Sequence, residues 1–103
     1  MAAGFTINIA PRALTDVASV AQWWRKNRLG APRLFQEELD AALSAIVERP
    51  EIGPRIPLRR YPNARSYVLQ RTGYIVLYNV DPAAKEITVV RVRHGKRRPL
   101  KRR

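Results

Sequence analysis

Phe5, Ile7 and Ile9 alternate with Thr6 and Asn8 near the start of the chain, the two-residue period of a strand buried on one face. Pro11, which has no amide hydrogen to pair, ends that run. Over residues 12–28 the period changes, and Leu14, Val17, Ala18, Ala21 and Trp24 recur at steps of three and four. That spacing predicts one stripe of an amphipathic helix, closed by Gly30. A second stripe, Phe35, Leu39, Ala42, Leu43, Ile46 and Val47, predicts a helix with Pro32 in its first turn, early acids that complement the helix dipole, and a stop at Pro50. The short link between them makes a helical hairpin.

Residues 50–64 hold four prolines and a glycine, which predicts an irregular connection or a short edge segment and no regular helix. Three strand-like runs follow at 65–70, 74–80 and 86–94, separated by the turn-like "RTG" and "DPAAK". The order is β-α-α-β-β-β. We therefore expect an α+β domain in which the helical hairpin packs on one face of a small, mainly antiparallel sheet and leaves the other face free. At 103 residues the chain has room for one core, so residues 1–103 are read as a single domain with a basic tail over about 96–103.

Composition narrows the chemistry. With no Cys and one His, a zinc or other soft-metal site lacks ligands, and neither a metal nor a cofactor is expected. The first ten residues lack a basic segment followed by an apolar run, and no stretch is long and apolar enough to span a membrane, so a soluble cytoplasmic protein is expected. Charge is the unusual feature. The net charge is +12, and residues 1–52 carry equal numbers of basic and acidic groups, so the whole excess lies in residues 53–103. Such asymmetry points to a polyanionic partner, nucleic acid or an acidic protein segment.

The last strand turns from aliphatic to cationic. By strand parity Arg91 and Arg93 continue the row of Ile87 and Val89, which brings them out of the core toward an anion; pairing with Glu86 and Asp81 is the bland alternative. His94 shares parity with Val90 and Val92, and we read it as a structural residue closing the sheet edge, with a general base as the other reading. The tail beyond it adds Lys96, Arg97 and Arg98 and supplies sequence-independent attraction to phosphate or simple solubility. Trp24 falls on the core stripe. Trp23 lies on its flank, either packed against the 50–64 segment or covered by a partner. Tyr74 and Tyr78 share a strand face, as core residues or as a stacking platform for bases.

Residues 31–57 resemble the second helix and following loop of the RelE/ParE superfamily of bacterial toxins, and residues 64–99 resemble its three closing strands. The resemblance is carried by Arg65, the Gly73-Tyr74 turn, Tyr78 and a terminal Val-x-His-Gly-x-Arg signature at Val92, His94, Gly95 and Arg97. It implies the toxin of a type II toxin–antitoxin module, a basic protein neutralised in a hetero-oligomer by a cognate acidic antitoxin, with Trp23 a candidate antitoxin contact. RelE-like members cleave messenger RNA on the ribosome, whereas ParE-like members poison DNA gyrase without chemistry of their own.

Cutting RNA through its 2′-hydroxyl needs a base, an acid and cations around the phosphorane. RelE-like enzymes place Lys and Arg on the middle strands, where this chain has Tyr67, Val68, Leu69 and Ile75, and no Tyr or Phe follows Arg97. Arg65, His94 and Arg97 are the only catalytic candidates, and they make an incomplete set. The expectation is a gyrase inhibitor that grips its target through Arg91, Arg93, Lys96, Arg97 and Arg98. A ribosome-dependent messenger RNA endonuclease, or a toxin-fold binding module without activity, are the alternatives.

Overall fold

In the computed structural model, which describes residues 4–95, Pro11 occupies the first position of helix α1 (Pro11–Asn27). There its missing N–H costs no helical hydrogen bond and its fixed φ suits the helix, so β1 (Thr6–Ile9) passes into α1 through Ala10 alone. Helix α2 (Leu34–Glu48) begins beyond Pro32, not around it as the sequence suggested. The link spends its backbone bonds on turns, Ala31 N–H to the Arg28 carbonyl and Leu34 N–H to the Ala31 carbonyl, and the helical ladder opens with Glu37 N–H on Arg33. Strands β2 (Ala64–Val68), β3 (Tyr74–Asp81) and β4 (Glu86–His94) complete the expected β-α-α-β-β-β order.

The sheet runs β1-β4-β3-β2, parallel between β1 and β4 and antiparallel elsewhere. Both helices cover one face. Phe35, Leu39, Ala42 and Ile46 from α2 and Ala13, Ala21 and Trp24 from α1 meet Val76, Tyr78, Val80, Ile87, Val89 and Val92 in one core. The buried stripe of α1 is rotated from the predicted one: Val17, Ala21 and Trp24 face the core as expected, but Leu14 and Ala18 are exposed, and Ala13 and Val20 take their places. Hydropathy ranks Leu14 above Ala13, but α1 packs chiefly on β4, and a fully buried alanine lets it lie close.

Strand parity fails at one point in β4. Tyr78 pairs with Val89 but Leu77 pairs with Arg91, so Val90 is an extra residue, a β-bulge. The inserted residue reverses the alternation. Ile87, Val89, Val92 and His94 therefore lie opposite the core-facing Val80, Tyr78, Val76 and Tyr74, while Arg91 and Arg93 pair with Leu77 and Ile75 and do not continue the Ile87 row. On the face of β2 and β3 turned from the helices, the register aligns Ser66 with Leu77 and Val68 with Ile75.

Residues 50–64 combine both predicted alternatives with one 3₁₀ turn, Pro50–Ile52. An isolated bridge sets Arg55 against Arg65 at the outer edge of β2. Gly53 makes this possible: a Cβ there would stand 2.0 Å from the Ser66 carbonyl oxygen. The Tyr78 hydroxyl locks the approach, donating to the Pro50 carbonyl at 2.7 Å and accepting the Gly53 N–H at 3.1 Å.

Candidate functional site

Because β1 ends at Ile9, β4 beyond Val89 has lost its neighbour on that side, and α1 crosses in its place. An open strand edge leaves amides to satisfy. Asp16 of α1 does this: its Oδ2 accepts the Val92 N–H at 3.0 Å and the Arg91 Nε–H at 2.8 Å, while Oδ1 accepts Arg91 Nη2 at 3.3 Å. Burial raises the Asp16 pKa, but the Arg91 hydrogen bond, the Val92 N–H and the charges of Arg91 and Arg93 together outweigh it and hold the carboxyl below its ordinary value. Arg91 is thus paired within its own chain, by Asp16 and not by Glu86 or Asp81 as the sequence alternative had it.

Across from this edge stands the tight turn between β2 and β3, where Gly73 takes a φ of +83°. Glu38 of α2 clamps it. Its carboxylate accepts the Arg71 N–H at 2.7 Å, the Thr72 N–H at 3.0 Å and the Thr72 hydroxyl at 2.8 Å. Two acids from two helices therefore fix, through main-chain amides, the β2–β3 turn and the end of β4, and each carries an arginine, Arg71 in the turn and Arg93 on the strand.

Between them lies an open cleft of about 880 Å³ whose walls include Trp23 of α1 and Arg28 just beyond its end, with Tyr74 and His94 among its other lining residues. Asp16 is the only carboxylate that lines it among the described residues. Trp23 lines this cleft. It is 44% exposed, edge-on to Trp24 at 6.0 Å, with the Arg28 guanidinium 5.0 Å from its ring centroid. His94 stands edge-on to Tyr74 at 4.9 Å, and Tyr74 in turn to Phe35 at 5.2 Å, an aromatic row running from the cleft into the core. The stacking-platform reading of Tyr74 and Tyr78 therefore fails: Tyr78 is fully buried and hydrogen-bonded.

The two catalytic candidates among the described residues, Arg65 and His94, are not brought together. Arg65 donates to the Gly53 carbonyl at 2.6 Å and the Glu51 carbonyl at 3.2 Å, so it holds the 50–53 segment. It pairs with Tyr78 on one side of β3, and His94 pairs with Tyr74 on the other. Four residues along and two strands across, the ladder separates them by roughly 17 Å. Arg97, with Lys96 and Arg98, lies outside the described residues. Sequence reasoning missed Asp16, Glu38, Arg28 and Arg71; the one available signal was that Asp16 and Glu38 sit beside their helices' apolar stripes, where a carboxylate reaches a neighbouring element. Among the described residues no cluster of His, Cys, Asp and Glu could hold a metal ion, and no helix is long and apolar enough to cross a membrane.

Comparison with solved structures finds the same architecture in isolated Escherichia coli RelE (24% identity over 92% of this chain and 88% of that one, TM-score 0.61). It recurs in the chromosomal ParDE system of Pseudomonas aeruginosa (16%, 87% and 95%, 0.64) and in the RelBE2 toxin–antitoxin complex of Mycobacterium tuberculosis (23%, 87% and 90%, 0.58). No curated protein matches. Identities this low show the fold alone. The family model for the ParE toxin of the type II toxin–antitoxin system parDE, however, matches residues 7–99, from β1 to beyond the last strand. The chain belongs to the ParE toxin family of type II toxin–antitoxin systems.

Proposed function

We propose that this toxin inhibits DNA gyrase by binding, without cutting RNA, and that a cognate acidic antitoxin neutralises it in the cytoplasm. The observation that carries this reading is the separation of Arg65 from His94, the two described catalytic candidates. Arg65 is occupied by loop carbonyls at one end of the sheet and His94 belongs to an aromatic row at the other. Over β2 and β3 the face away from the helices offers Ser66, Val68, Ile75 and Leu77, none of which can move a proton or stabilise a phosphorane.

Binding needs only a cationic surface, and this chain has one. Arg93 emerges beside the Asp16–Arg91 pair, and Lys96, Arg97 and Arg98 follow in sequence, so the target contact is assigned to Arg91, Arg93 and these three. An antitoxin partner is supported by solved toxin–antitoxin complexes of the same fold, RelBE among them. Expression from an inducible promoter in bacteria tests the target. Filamentation and a DNA damage response with intact translation are expected; prompt translation arrest with messenger RNA cleaved in the ribosomal A site would overturn the proposal. His94→Gln should keep most of the toxicity, whereas an endonuclease using this histidine as its base would lose it.

A further inference from the structure

We infer that the arm formed by residues 54–63 is a contact for duplex DNA, gripping backbone phosphates with the guanidinium groups of Arg59 and Arg60. This goes beyond the gyrase reading, which assigns the opposite end of the sheet, and it stands or falls without it. The segment is a short two-sided arm that continues β2. Ile56 N–H donates to the Ala64 carbonyl at 3.0 Å and Ser66 N–H to the Pro54 carbonyl at 3.1 Å, while Leu58 and Tyr61 form a bridge at the tip. Its base is fixed to β3, where Asn79 Oδ1 accepts the Asn63 N–H at 3.1 Å and the Asn63 carbonyl accepts the Val80 N–H at 3.3 Å.

Backbone conformation is the first argument. Tyr61 N–H donates to the Leu58 carbonyl at 3.2 Å, closing a turn in which Arg60 takes a φ of +72° while Arg59 keeps a negative one. Arg60 thus holds the third position of a type II turn, which Gly or Asn ordinarily fills. Strain of this kind at an exposed site points to use of the side chain it carries. Pro57 and Pro62 flank the turn and restrict its alternatives in the unfolded chain. Arg55 Nη2 braces it by donating to the Pro62 carbonyl at 3.1 Å. The two tip arginines are therefore presented on a stiff frame, so part of the ordering cost of binding is already met.

Surface chemistry is the second argument. Every exposed residue of the arm is proline or arginine: Pro54, Arg55, Pro57, Arg59, Arg60 and Pro62. Residues 52–80 contain five arginines and no acid, and neither Arg59 nor Arg60 has an ion pair with a described residue. Arginine's planar fork matches a pair of phosphate oxygens. A protein partner needs a desolvated apolar centre, but Ile56, Leu58 and Tyr61 are half-buried and leave none at the tip. A single strand needs open aromatic faces on which to stack its bases, and Tyr61 is the arm's one aromatic ring. A charged tip without apolar or stacking surface suits the regular phosphate rows of a duplex. Ala64, where the arm leaves the sheet, lies four residues along the ladder from the row of Val68, Ile75 and Arg93, roughly 14 Å away. DNA on the arm therefore leaves the cationic end of β4 open to a protein.

The test titrates a short fluorescent DNA duplex with the full chain over a series of salt concentrations, read by anisotropy. Arg59→Gln/Arg60→Gln should lower affinity about tenfold and reduce the slope of log affinity against log salt by about 1–2. Arg25→Gln/Lys26→Gln, which removes the same charge from the last turn of α1, should lower affinity by no more than about twofold. Arg60→Asn separates the two roles of that residue: Asn suits the turn, so the melting temperature should hold or rise while DNA binding weakens about threefold. Thermal melts verify that each variant is folded. Equal losses in the two double variants would mean that net charge alone is at work and would overturn the inference. So would undiminished binding by Arg59→Gln/Arg60→Gln, tighter binding of oligodeoxythymidine than of the duplex, or a polyglutamate peptide that depends on the same two arginines as strongly. Gyrase is absent from this titration, so failure of the gyrase reading appears in the cellular assay and the two are scored separately.

Discussion

Asp16 closes the edge that β1 leaves bare, and its ionised form is the one the fold selects. Because the folded pKa lies below the unfolded value of about 4, the carboxylate stabilises the chain fully above that pH, and the contribution is lost as pH falls through the lower folded value. Asn can still accept the Val92 amide but cannot pair with Arg91. We therefore expect Asp16→Asn to cost about 1–2 kcal/mol at neutral pH and to flatten the loss of stability on acidification, as measured by denaturant unfolding at a series of pH values from neutral into the acid range. An equally steep acid limb in the variant would mean that other carboxylates set it. Tyr78 is the counterpart at the other end of the sheet. Burial raises its pKa, which keeps the hydroxyl neutral and able to donate to Pro50. Tyr78→Phe leaves the Pro50 carbonyl and the Gly53 amide without their partner, at a cost of about 1–3 kcal/mol, and amide exchange at Gly53 should accelerate more than exchange in α2.

Periodicity alone was enough to read the elements. Strands and helices repeat at different steps, and here each run was long enough to show its own, so order, topology class and most of the α2 core followed from apolar spacing. Three features were not legible, for a common reason: they depend on where neighbouring backbones meet. The bulge at Val90 adds one residue and exchanges the faces of everything after it, which is why Arg91 and Arg93 were assigned to the wrong row. The choice of Ala13 over Leu14 follows from how closely α1 approaches β4, and Asp16 meets Arg91 across 75 positions. His94 lies on the side of Val92, but the bulge removes Val90 from that row, and the contact with Tyr74 has no signal in the sequence. Gly53 is a similar case, legible as a turn former but not as a contact. Gly53→Ala must push the 50–53 segment away from the Ser66 carbonyl and strain both the Tyr78 bonds and the Arg65 bonds. A loss of about 1–3 kcal/mol is expected, visible as a lower denaturation midpoint with an unchanged slope; a neutral effect would mean that the 50–53 segment is not held against β2 in solution.

Across the whole molecule, charge acts in two directions. The surplus of +12 belongs entirely to residues 53–103, and the arginines flanking the cleft are held in place by acids that are themselves already engaged. Like charges gathered in this way repel one another in the folded chain, and salt relieves that repulsion as the screening length falls from about 30 Å at 0.01 M to about 8 Å at 0.15 M. The melting temperature of the isolated protein should therefore rise over this range of sodium chloride, by a few degrees if the relief is about 1 kcal/mol. Any anionic partner gains from the same field, so its affinity should fall over the same range. Opposite salt dependences of folding and binding follow from one charge distribution, whichever partner occupies the surface. A melting temperature that falls with salt would mean that the acids of the first half lie close enough to neutralise the second half in space, and the cationic end would then lose its role as the driving element of recognition.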